Sequence, residues 1–148
     1  MNDATIAAAI ATRLSAVTPP TGEVAIRWAS HLLLDSETPP FPAIEILPPE
    51  EDIEWLPGKQ MRSTTEWTVQ MLFDSAADLP RRMASIYAWR TAIRTQLAGQ
   101  IQLGVSGVEL ALLTGMRSPE DEFGQQLIDV LELTIVTRVR EVVATLSA

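Results

Sequence analysis

Three groups of side chains in this 148-residue sequence have types and spacings that could support chemistry. The single histidine, His31, lies four residues before Asp35. On a helix the acid could orient the imidazole beside Ser30 or Ser36, as in the base pair of a hydrolase. Glu50, Glu51, Asp52 and Glu54 place four carboxylates within five residues, which invites a divalent cation. Gly58 precedes the single lysine, Lys59, as in the closing turn of a phosphate-binding loop.

None of the three meets the full requirement of its chemistry. No nucleophile elbow accompanies His31, and one imidazole in a chain without cysteine cannot build a typical zinc site. His31 therefore reads as a partly exposed histidine at a strand end. An EF-hand-like loop needs acids at alternate positions around a central glycine, with a distal glutamate. The acids here are adjacent and proline-flanked, which favours a solvated loop or a partner surface. A P-loop would need glycine at Ile53 and Ser or Thr at Gln60, and Gly104 with Gly107 do not make a GxGxxG pattern. The sequence predicts no catalytic residue, no metal site and no cofactor.

What remains are contact residues. Trp55 sits inside the acidic stretch, where a free monomer would expose it, and tryptophan is enriched among interface anchors. Trp28, Trp67 and Trp89 fall on faces expected to be buried. Tyr87, Arg90 and Arg94 share one flank of a helix that also holds Arg81 and Arg82. That flank is either a solvated charged edge or a contact with an acidic partner, for which the acidic loop of a neighbouring copy is the obvious candidate.

The elements that position these residues follow from hydrophobic periodicity. Ile6, Ile10, Leu14 and Val17 predict an amphipathic helix over 3–17, capped by Asp3 and ended by Pro19-Pro20. Val24, Ile26 and Trp28 alternate as a short strand, and 43–47 is a second strand between proline pairs. Residues 48–63 read as a long connection with little structure of its own, a type that is usually functional or mobile. Strict alternation over 64–73 predicts a strand, and Met83, Ile86, Trp89, Ile93 and Leu97 predict a helix over 80–98, opened by Asp78-Pro80 and stopped by Gly99. Strands over 105–114 and 127–139 follow a helix and flank a polar turn at 118–122, and the second, apolar on both faces, is expected at the centre of the sheet. The order implies an α+β fold: a mainly antiparallel sheet of four to five strands with two helices on one face. One domain over 1–148 is expected, with 141–148 as a C-terminal extension.

Composition sharpens the exclusions. Nineteen acids against eleven bases give a net charge of −8, against a protein that grips nucleic acid through phosphate neutralisation. The N-terminus lacks the basic region and apolar core of a secretory signal, and the longest uncharged run, 95–108, falls short of the ~18 apolar residues of a membrane span. A soluble intracellular product with no membrane partner is expected.

The layout resembles the tail terminator proteins of long, non-contractile-tailed bacteriophages. The similarity is carried by the N-terminal amphipathic helix, by Phe41-Pro42-Ala43-Ile44-Glu45-Ile46 entering a strand, and by the acidic loop after it. Thr65-Glu66-Trp67-Thr68-Val69-Gln70-Met71-Leu72-Phe73, one long helix, and a last strand containing Leu131-Glu132-Leu133-Thr134-Ile135 complete it. The resemblance implies a hexameric ring that caps the tail tube, ends its polymerisation and offers a surface to head-completion proteins. It places the protein at the tail–neck junction of the virion, and in the host cytoplasm during assembly. Loop 48–63 would be the segment that orders on oligomerisation, with some of Glu50, Glu51, Asp52 and Glu54 facing the channel or a neighbouring subunit. DNA would pass such an acidic lumen without specific binding. The rival readings are another neck component, such as a head-closure or head–tail joining protein, a small hydrolase built on His31, and a monomeric binding module.

Overall fold

In a computed structural model of the chain, residues 3–30, 42–74, 79–118 and 128–142 are described. Two helices, α1 (Asp3–Ser15) and α2 (Leu79–Gln96), accompany six strands: β1 (Trp28–Ser30), β2 (Ala43–Ile46), β3 (Glu50–Leu56), β4 (Gln60–Asp74), β5 (Val108–Arg117) and β6 (Ile128–Val142). The sheet runs β1-β2-β4-β6-β5, with β3 also paired to β4. All pairings are antiparallel except β1 with β2. The α+β class and the mainly antiparallel sheet agree with expectation; the sixth strand is the hairpin strand β3.

The frame is set by β4 and β6, paired without interruption from Gln60↔Val142 to Asp74↔Ile128. Fifteen residues at ~3.3 Å each make this ladder roughly 50 Å long. Its period-two alternation sends Trp67, Val69, Met71 and Phe73 to the same side as Leu131, Leu133 and Ile135, where they join Ile44 and Ile46 of β2. Both helices cover that side. Ile6, Ile10 and Leu14 of α1 and Ile86, Trp89 and Ile93 of α2 belong to the same buried cluster. Phe73 and Trp89 pack as tilted rings 6.4 Å apart. On the opposite face the described residues form a small buried cluster, Ala43, Leu72 and Val130. The strand expected at the centre, β6, is an interior strand flanked by β4 and β5, while the middle of the five-strand path is β4.

Polar clamps fix the helices to each other. The Gln96 side-chain amide accepts from Thr18 N–H (2.8 Å) and donates to the Thr18 carbonyl (2.9 Å), while Arg13 donates to the Gln96 carbonyl (3.4 Å). These bonds hold the end of α1 against the end of α2.

Four expectations need correction. The segment 48–63 is not an unstructured loop: β3 pairs with β4 from Glu50↔Glu66 to Leu56↔Gln60, around a turn at residues 57–59. Gly58 (φ 78°) and Lys59 (φ 59°) adopt the left-handed backbone of that turn. The acids hid a strand, because an edge strand with both faces open to water accommodates charge on either side. The strand expected at 24–28 shrinks to β1, since backbone pairing reaches upstream only through Arg27 N–H to the Pro42 carbonyl (2.8 Å). The strand expected at 105–114 lies instead at 108–117, with irregular register around Glu109 and Thr114. The C-terminal extension is in part strand, because Glu141 and Val142 still pair with Met61 and Gln60. His31, Asp35, Ser36, Phe41, Asp78, the 119–122 part of the polar turn and 143–148 lie outside the described residues.

Candidate functional site

The helices end before the sheet does. Along β4 the covered face runs from Phe73 to Trp67, whose indole N–H donates to the Thr137 hydroxyl at 3.0 Å. Beyond it, β3 and the first residues of β4 continue, with the end of β6 and, as far as Val108, the start of β5, as an arm of the sheet. Cross-strand register assigns each arm residue to a face. Glu51, Ile53 and Trp55 stand opposite Thr65, Ser63 and Met61, on the helix side. Glu50, Asp52 and Glu54 stand opposite Glu66, Thr64 and Arg62, on the helix-free side.

The acidic run is therefore two groups. On the helix side, Glu51 accepts a hydrogen bond from the Ser63 hydroxyl at 2.6 Å. Next to it lie two apolar side chains that the fold leaves in water: Ile53 is 49% exposed and Trp55 59%. On the other side, Glu50 faces Glu66 directly, a like-charge pair that an antiparallel ladder disfavours. Glu54 approaches Arg62 at 3.8 Å, Arg62 approaches Glu109 at 3.8 Å, and Glu109 pairs with Arg140 at 3.2 Å. This chain of charges rivets β3, β4, β6 and the β5 irregularity at Glu109 together.

The second candidate surface lies on α2. Tyr87 is 58% exposed, Arg94 is exposed, and the half-buried Arg90 reaches the Ser118 hydroxyl at 3.4 Å. The sequence grouped these three residues on one flank, and the helix presents them that way. Of the tryptophans expected in the core, Trp67 and Trp89 are buried, while the side chain of Trp28 lies outside the described residues. The acids and the arginine flank do not meet within one subunit: among the described residues, no ion pair joins Arg90 or Arg94 to the β3 carboxylates.

Sequence reasoning missed Ile53 and the Arg62, Glu109 and Arg140 chain. Ile53 had a legible signal, the alternation Glu51-Ile53-Trp55, whereas the charge chain depends on a register that no local pattern states. At the base of the arm a cleft of about 200 Å³ opens between the start of α1 and Pro48-Pro49 of the β2–β3 joint, with Trp67 in its wall. Its lining is apolar apart from Asp3 and holds no pairing of nucleophile and base. Among the described residues no group of three or more His, Asp or Glu is placed to hold a metal ion, and no helix is long and apolar enough to cross a membrane. Comparison with protein-family models and with curated protein sequences finds no significant match.

Proposed function

We propose that this chain is a structural virion subunit that forms a ring, caps the phage tail tube, ends its polymerisation and offers the joining surface to the head. The observation that carries the reading is the arm, a rigid sheet extension with Ile53 and Trp55 about half in water beside a carboxylate. Ile53 and Trp55 together form an exposed apolar patch beside charged side chains, the kind of surface that marks contact with another polypeptide. At roughly 25 cal/mol per Å², covering the two side chains contributes on the order of a few kcal/mol per subunit before ordering costs. Repeated around a ring, that contribution recurs at every subunit contact.

The helix-free side of the arm suits a different task. On that face Glu50, Asp52, Glu54 and Glu66 outnumber Arg62, Arg138 and Arg140, and in a ring with that face inward the net negative charge would repel DNA phosphates rather than retain them. Tube protein and head-completion protein are the partners of the ring's two ends. The test is assembly without the protein. Loss of a terminator gives overlong tubes, while normal-length tails that fail to join heads would identify a head-closure or head–tail joining protein instead. Negative-stain images of purified protein with tubes should place a six-fold ring at one tube end.

A further inference from the structure

We infer that the helix-side face of the arm in one copy seats on the Tyr87, Arg90 and Arg94 flank of α2 in the next copy, a deepening that rests on the ring reading above.

The two surfaces complement each other in composition. Helix α2 has four arginines and no acid. Setting those four aside, a chain of net charge −8 leaves −12 for the remainder, so α2 is the basic element of an acidic protein. The arm offers Glu51 beside Ile53 and Trp55, and α2 offers Arg90 and Arg94 beside Tyr87. Each surface thus pairs charge of one sign with an aromatic ring more than half exposed, at 59% for Trp55 and 58% for Tyr87. Arginine can stack on an aromatic face and pair with a carboxylate by the same planar group.

Distance keeps Tyr87 from Trp55 within one chain. Trp89, two residues after Tyr87, packs on Phe73, whereas Trp55 lies opposite Met61 at the other end of β4. Twelve residues of strand separate Phe73 from Met61, roughly 40 Å at ~3.3 Å per residue. The occupant of each surface is therefore the other surface on a second copy. Such a contact is heterologous, the type that generates rings when its rotation closes and filaments when it does not.

The absence of cysteine makes the test clean. W55C, Y87C and the double variant W55C/Y87C are treated with a short bismaleimide. The pairing predicts a ladder of cross-linked species for the double variant, dimers alone from an equal mixture of the two single variants, and no cross-link from either alone. Cross-linked dimers from W55C alone would mean arm-to-arm contact and overturn it. As a second arm, R90E/R94E should weaken association about tenfold or more with unchanged circular dichroism, and adding Glu51→Arg should restore part of it. Failure of that rescue overturns the charge pairing. Rings that form but do not cross-link remove this pairing and leave the ring reading intact. A ladder made by open filaments keeps the pairing and removes the ring, and unsubstituted protein that stays monomeric at every concentration removes both.

Discussion

The two ends of β4 are built from the same kind of alternating sequence and meet opposite fates. From Trp67 to Phe73 the helix-side residues are Trp, Val, Met and Phe, all buried under α1 and α2. From Met61 to Thr65 the same face carries Met, Ser and Thr, and the neighbouring strand adds the exposed Ile53 and Trp55. Ser63 and Thr65 are nonetheless only 5% and 2% exposed, for Val139, opposite Ser63 on β6, still belongs to the main buried cluster. The covered end is closed by its own chain. The arm is stiffened by hydrogen bonds and charge pairs, and its larger side chains are left for something else to close.

The largest stability effects belong to the covered end. Trp89 is fully buried, and Trp89→Ala should cost about 3–5 kcal/mol in chemical denaturation, through lost transfer energy and a cavity. Its indole N–H has no hydrogen-bond partner among the described residues, so Trp89→Phe removes a buried unsatisfied donor along with the volume and should cost far less than Trp89→Ala. Equal losses for the two variants would break the assignment.

The boundary comes next. Thr137→Val preserves shape but leaves the Trp67 indole N–H without its acceptor, at a cost of about 1–3 kcal/mol. Native-state hydrogen exchange should then show the arm opening more readily than the covered end. A loss below the measurement error would mean that the indole finds another partner and the boundary is not fixed by this bond.

How far this division could be read in the sequence depends on the element. Ile6, Ile10 and Leu14, and Ile86, Trp89 and Ile93, carry their helical spacing openly, because each helix buries one stripe. The cores of β4 and β6 were equally legible from period-two alternation. The arm was not, for a physical reason: four acids in five residues resemble a loop wherever strand formation is judged by hydrophobic burial, and this strand gains its order from pairing with β4. Trp55 could be singled out because it is out of place on a polar stretch, and the Tyr87 flank because helical spacing sets Arg90 and Arg94 beside it in a chain with few bases. The sorting of Glu51 from Glu50, Asp52 and Glu54 required the β3–β4 register, and the parallel β1–β2 pair required a partner fifteen residues away.

Between the helices, Gln96→Ala should cost about 1 kcal/mol, since it removes two exposed hydrogen bonds to Thr18. Circular dichroism melts would show a small downward shift, with association unaffected because the clamp lies away from both proposed contact surfaces. A larger loss would make the α1–α2 clamp a main support of the covered end.

The smallest stability effect, and the sharpest test of the contrast, is expected at Trp55. Its side chain is 59% exposed on an edge strand, so Trp55→Ala should change monomer stability by no more than about 0.5 kcal/mol. If a second copy covers it, the same substitution should weaken association by roughly 2 kcal/mol or more, as for a buried aromatic anchor. Sedimentation over a concentration series reads the second quantity and denaturant melts of the dilute protein read the first. Trp89→Ala should do the reverse, lowering stability while leaving the contact surface chemically intact. The ratio of the two effects within each variant separates a residue that closes its own fold from one that closes a neighbour's. A Trp55→Ala variant that melts early and associates normally would put Trp55 among the arm's own supports and dissolve the distinction between the two ends of β4.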